Sequence, residues 1–197
     1  MKRAAVISSQ MAAVADLEVV ESREGSVVIL SLTRMDKLNS LNLNMIRLLN
    51  SSYVKALASN DVGCIVMRGE GRAFCAGGDV AAVRAEALSG GSLPYDFFFE
   101  EYVLNNTIAT MFERQGMPQI ALWDGITMGG GVGLSVHGRF RVCTEKTLFA
   151  KPETKIGLFP DVGGTHVLAR IKGGMPIGLL IGLTGLRLKA PRQQPCP

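Results

Sequence analysis

The sequence predicts a single α/β domain with crossover connections. Three observations carry this reading. Short β-branched or aliphatic runs alternate with longer stretches of helical periodicity. Two glycine clusters each follow one of the short runs. Hydrophobic residues make up 47% of the 197 residues, enough for one proper core and too many for a disordered chain. Such alternation is the pattern of strands crossed over by helices.

Residues 1–25 read as an N-terminal tail. Residues 26–33 (SVVILSLT) are β-branched and strand-like, and residues 34–42 form a polar turn region. In residues 43–58, Met45, Leu48, Leu49, Tyr53 and Leu57 recur at helical spacing, which predicts an amphipathic helix. Residues 64–68 (CIVMR) form a short buried strand that runs into a loop containing Gly69, Gly71, Gly77 and Gly78. After the breaker at 90–94, residues 96–114 form a second long helix, and residues 119–123 (QIALW) a strand ended by Asp124-Gly125. Glycines 129, 130, 131 and 133 make a second loop, with residues 134–137 turning into a helix. Residues 140–143 and 147–150 are short strands, and residues 163–171 are helical. There is no internal repeat and no linker, so residues 26–189 form one domain, followed by an irregular tail at 190–197.

Composition narrows the function. The net charge of +4 suits a polyanionic ligand as well as it suits an ordinary protein surface. Lys and Arg are nowhere interleaved with aromatics, so the pattern gives no nucleic-acid partner. Cys64, Cys75, Cys143 and Cys196 form no CxxC pair and only two histidines are present, so neither a zinc site nor a disulfide framework is expected and a reducing compartment is the default. No apolar run reaches the ~18 residues needed for a membrane span; residues 173–186 are apolar but short and interrupted by Gly and Pro. Residues 1–15 carry Lys2, Arg3, Ser8 and Ser9 and no acid, which resembles a short mitochondrial presequence. The same features fit an irregular start of a cytoplasmic chain.

The chemistry-bearing segments are three. Residues 73–79 (AFCAGGD) and 125–133 (GITMGGGVG) each follow a strand. Glycine lets a ligand approach the main chain because no Cβ intervenes. Two N–H groups from separate loops can then converge on one oxygen, and donors preorganised for a developing oxyanion are worth about 3–4 kcal/mol each. Taken singly, either cluster reads as a turn; neither fits GxxxxGK[ST] or GxGxxG. The third segment runs from Lys151-Pro152-Glu153-Thr154 to residues 157–164 (GLFPDVGG). Glu153 and Asp161 each stand beside a proline, and a loop folding back would turn both carboxylates into one cleft. Spacing alone favours the plainer reading, in which Asp161 caps the next helix and Glu153 is solvated. Cys75 has no histidine near it in sequence and reads as packing, His137 as structural, and Asp79 as a brace accepting main-chain N–H bonds.

In order and spacing, FCAGGD, GITMGGGVGLS and KPETKIGLFPDVGG resemble the crotonase (enoyl-CoA hydratase/isomerase) superfamily. With residues 97–106 (FFFEEYVLNN), they are similar in particular to the 3-hydroxyisobutyryl-CoA hydrolases. The resemblance covers about residues 26–189. It implies a crotonase-like spiral of repeated ββα units and thioester hydrolysis of a short 3-hydroxyacyl-CoA in valine catabolism. The substrate's coenzyme A would be the only nucleotide involved, with no metal or separate cofactor.

The resemblance also implies roles. The N–H groups of Gly78 and Gly130 match the oxyanion hole, and Ala73 and Ala76 bound the segment that lines coenzyme A. Glu153 matches the acid/base or nucleophilic carboxylate, by an anhydride or an activated water. Asp161 and Glu101 match acids at the substrate's hydroxyl end. Hydratases resemble GGG-x-E at the second loop, where this chain has Gly133, which points to hydrolysis over hydration. The alternatives are another hydratase or isomerase of the superfamily, or a non-catalytic acyl-CoA-binding chain. Relatives continue into a large helical C-terminal region that covers the cleft and makes subunit contacts, which admits a homo-oligomer. Here the family pattern stops at Lys189 and the ending reads as a truncation or frame change. An exposed apolar surface is expected where that region would pack. Residues 111–117 read as a surface extension.

Overall fold

The computed structural model describes residues 17–190. The presequence reading and nearly all of the irregular tail lie outside them. Among the described residues, nine strands form two sheets. The first strand, β1 (Val19–Glu24), pairs antiparallel with β2 (Val27–Leu32). Gly25 makes the tight turn between them at φ +59, a left-handed conformation that glycine adopts without strain. Residues 19–24, read from sequence as tail, are therefore part of the sheet. Their outward face is polar, so apolar alternation did not mark them.

Helix α1 (Leu43–Ala58) follows, capped by Asn42, whose side chain accepts the Met45 N–H at 2.8 Å. Its buried stripe is Met45, Ile46, Leu49, Tyr53 and Ala56, and each such large side chain contributes about 1.5–3 kcal/mol on burial. Strands β3 (Cys64–Gly69), β5 (Gln119–Trp123) and β7 (Phe140–Cys143) extend the first sheet in the order β1-β2-β3-β5-β7, parallel from β2 onward. A smaller sheet holds β4 (Ala73–Cys75), β6 (Ile126–Met128) and β8 (Leu148–Ala150) in parallel, with β9 (Leu188–Lys189) antiparallel at its edge. Each of the pairs β3–β4, β5–β6 and β7–β8 places one strand in each sheet before the chain turns helical. This is the ββα repeat that the sequence resemblance implies.

Helix α2 (Val80–Leu88) was not legible from the sequence: only Val83 is buried, so no stripe exists to see. Helix α3 (Leu93–Gln115) begins with Pro94 in its first turn and ends at Gly116. Its buried face is Phe97, Glu101, Leu104, Asn105, Ile108 and Met111. Met111 and Met117 both join the core, while residues 112–116 between them are exposed, so the surface extension is anchored at its two ends. Helix α4 (Gly130–Gly133) lies one turn earlier than expected, since residues 134–137 form turns. Helix α5 (Gly164–Leu168) and helix α6 (Gly174–Thr184) lie between β8 and β9. No helix among the described residues is long and apolar enough to cross a membrane. On α6, Met175, Ile177, Leu179, Leu180 and Leu183 are exposed.

Among the described cysteines, Cys64 and Cys75 are free thiols, while Cys143 is disulfide-bonded, a pairing that the spacing does not announce.

Candidate active site

The two glycine loops meet because the preceding turn holds the first of them. Asn39, fully buried, donates from its amide to the carbonyls of Glu70 (3.0 Å) and Ala73 (2.8 Å). The neighbouring main chain then pairs with the loop: Ala76 N–H to Leu38 O, Leu41 N–H to Gly77 O, and Asp79 N–H to Leu41 O. In this extended pairing Gly77 O and Asp79 N–H face Leu41, so the Gly78 N–H points the other way. Asp79 braces the loop further. It accepts the Ala82 N–H at 3.3 Å, capping α2, and pairs with Arg34 at 2.9 Å.

The second loop approaches so closely that side chains are excluded. A Cβ on Gly131 would overlap the Cys75 carbonyl. One on Gly130 would overlap Glu101 Oε1 and lie 3.4 Å from the Gly78 nitrogen. Gly130 opens α4, so its N–H has no partner within the helix. Gly78 and Gly130 both line one small cavity of about 100 Å³. Its walls include Ala76, Phe97, Phe98, Glu101, Glu153 and Asp161. Ala73 is buried at the start of β4, with its carbonyl engaged by Asn39, and is not among the cavity residues.

Three carboxyl groups face this space from three elements. Glu101 comes from the buried stripe of α3 and is 2% exposed. Glu153, 5% exposed, opens the 3-10 turn Glu153–Ile156. Asp161 sits on the loop before α5, where Tyr102 of α3 donates to its Oδ2 at 2.8 Å. It is therefore held by a tyrosine and does not cap α5, whose N-cap residue is Gly163. Glu101 Oε1 and both oxygens of Glu153 are buried without a hydrogen-bond donor. The Lys151 ammonium stands 2.6 Å from Glu153 Oε1, an ion-pair distance without hydrogen-bond alignment.

Burial, then the charge of Asp161, pushes the Glu101 carboxyl up from 4.5 to about 8. Native Glu101 therefore holds a proton that the unfolded chain releases, and the stability this provides is lost as pH rises from 4.5 towards 8. In urea unfolding across that range, Glu101→Gln should flatten the decline seen in the wild-type chain. An unchanged slope would show that Glu101 is ionised in the native state.

The remaining candidates are structural. Burial pushes the Cys75 thiol up to about 12, far from a thiolate nucleophile. His137 Nε2 lies 2.7 Å from the Val162 carbonyl, which can only accept, so Nε2 carries the proton. Burial lowers the pKa of His137, which stays neutral and pins the turn next to Asp161, where Val162 adopts φ +49. His166 is exposed on α5 and does not line the cavity. Sequence reasoning assigned nothing to Lys151 or Tyr102. Tyr102 follows Glu101 directly and was legible only as part of a helix.

The family model for enoyl-CoA hydratase/isomerase matches residues 27–194. Among curated proteins, the mitochondrial 3-hydroxyisobutyryl-CoA hydrolase of Danio rerio is 49% identical over 180 residues, covering 91% of this chain and 46% of that protein. Its namesake in Rattus norvegicus is 50% identical over 173 residues, covering 87% and 43%. The chain thus spans less than half the length of these relatives. Among solved structures, a carnitinyl-CoA dehydratase from Mycobacterium thermoresistibile superposes with a TM-score of 0.81 at 38% identity, covering 88% of this chain and 50% of that one. An enoyl-CoA hydratase from Rhodobacter sphaeroides gives the same values.

Proposed function

Because the chain belongs to the enoyl-CoA hydratase/isomerase family, we propose that its site is that of a thioesterase for a short 3-hydroxyacyl-CoA, with 3-hydroxyisobutyryl-CoA as substrate. The observation that carries this reading is the pair of carboxyl oxygens Glu101 Oε1 and Glu153 Oε2, buried without a donor in the cavity that Gly78 and Gly130 also line. Buried polar atoms are rarely left unpaired, and these are arranged to meet a ligand. A cavity of about 100 Å³ has room for a small acyl group of a few heavy atoms.

In this reading the thioester carbonyl oxygen accepts from the N–H groups of Gly78 and Gly130. Glu153 adds to the carbonyl carbon to give an anhydride, or takes a proton from a water that adds there. The tetrahedral intermediate collapses, the C–S bond breaks, and the coenzyme A thiolate leaves and takes a proton, from Glu153 on the water route or from solvent on the anhydride route. On the anhydride route a water then cleaves the anhydride, which frees the hydroxy acid and restores the Glu153 carboxylate. Asp161, held by Tyr102, and Glu101 receive the substrate hydroxyl. Ala76 lies beside the first loop on the coenzyme A side, with Ala73 acting only through the strand it begins. No metal or separate cofactor enters the scheme. The curated relatives are named as mitochondrial, and we place the chain there by that likeness.

Hydrolysis is favoured over hydration by the surroundings of Gly133. A Cβ there would overlap Asn105 Oδ1 and lie 2.6 Å from Val162 Cβ, so the second glutamate of a hydratase has no room. Gly133→Glu should therefore cost about 1–3 kcal/mol or more by overpacking, and should not confer water addition to crotonyl-CoA.

A second reading, acyl-CoA binding without turnover, is favoured by the exposed apolar face of α6, a helix that packs on the 3-10 turn Glu153–Ile156 at the cavity wall. Thiol release from 3-hydroxyisobutyryl-CoA, measured beside calorimetric binding of coenzyme A, separates the two. Release with the full chain supports hydrolysis, and binding without release supports the second reading.

A further inference from the structure

Lysine is rarely buried unless paired, because an unpaired ammonium is costly to remove from water. Lys151 is fully buried. Its ammonium lies 2.6 Å from Glu153 Oε1 and donates to the Asp161 carbonyl at 3.2 Å. It thereby joins the two segments that carry these acids. Room for its stem depends on Gly164, where a Cβ would lie 2.9 Å from Lys151 Cε and 3.3 Å from Nζ. The charged and titratable groups around this pair are Glu101 and Tyr102 from α3, Asp161 from the loop, and His137 from the turn after α4. Against these acids, Lys151 brings the positive charge.

We propose that Lys151 is a positioning residue, whose ammonium clamps the Glu153 carboxylate to the Asp161 main chain and supplies its counter-charge. What Glu153 is aimed at rests on the hydrolase reading above, whereas the clamp itself does not. Lys151→Met keeps most of the stem and removes the charge. Lys151→Met should lower kcat for 3-hydroxyisobutyryl-CoA about tenfold or more in the wild-type background and far less in a Glu153→Gln background, because the lysine acts through that carboxylate. A merely structural role would lower the rate by the same factor in both backgrounds.

A second arm needs no turnover. Urea unfolding of the wild-type chain, Lys151→Met, Glu153→Gln and the double variant forms a cycle. A double variant that loses clearly less stability than the two single losses summed supports the clamp even in a chain that releases no thiol, in which case the hydrolase reading alone fails. Additive losses overturn the proposal. Should Lys151→Met fail to fold, the double variant Lys151→Met/Glu153→Gln should fold, because it removes the stranded carboxylate. A double variant no more stable than the single one also overturns the proposal.

Discussion

Glu153→Gln should lower kcat for 3-hydroxyisobutyryl-CoA by roughly 10²–10⁴-fold, the range for loss of a positioned acid/base group. Glutamine keeps the shape but can neither attack the thioester nor take a proton from water. The side chain is buried at the cavity wall beside the Lys151 ammonium, so the change also strands that cation. Some loss of stability therefore accompanies the loss of rate, and a urea titration beside the assay separates the two. A folded Glu153→Gln chain with undiminished hydrolysis would remove Glu153 from the chemistry.

Gly130→Ala should be nearly as severe, for a different reason. Its methyl would overlap Glu101 Oε1 and lie 3.3 Å from Leu41 Cδ1 and 3.4 Å from the Gly78 nitrogen. Alanine keeps its own N–H, but the methyl crowds the Gly78 donor, and loss of one oxyanion donor typically costs about 10²–10³-fold in kcat. The binding of free coenzyme A should change far less, since the methyl projects towards the acyl end of the site. Equal loss of coenzyme A affinity and of rate would mean a collapsed loop instead of a blocked oxyanion hole.

Strong periodicity made parts of the fold legible. Helix α1 was readable to its ends because its apolar stripe is continuous and Asn42 supplies a cap. The strands of the larger sheet that are rich in Val, Ile and Leu stood out in the same way. Strands β4 and β6 did not, since three residues can hardly display a period of two and both run into the glycine loops. Helix α4 is nearly all glycine, the poorest ordinary helix former, so its packing against the first loop sets its conformation.

The candidate site divides in the same way. Its glycines and carboxylates could be picked out from motif order, but spacing alone preferred a solvated Glu153 and a capping Asp161. The chain folds otherwise because Lys151 and Tyr102 hold those two acids against the cavity. Lys151 looks like any surface lysine in sequence, and its burial depends on the space left by Gly164. Glu101 did carry a local signal, being a carboxylate within the apolar stripe Phe97, Leu104, Ile108.

The central claim is that two glycine N–H groups polarise one thioester carbonyl beside Glu153. Infrared difference spectroscopy of 3-hydroxyisobutyryl-CoA carrying a carbon-13 carbonyl, bound to the slow Glu153→Gln variant, tests it most directly. The account predicts that the carbonyl stretch moves to lower wavenumber on binding, and that adding Gly130→Ala removes most of the shift. A bound carbonyl that absorbs where it does in water would contradict it.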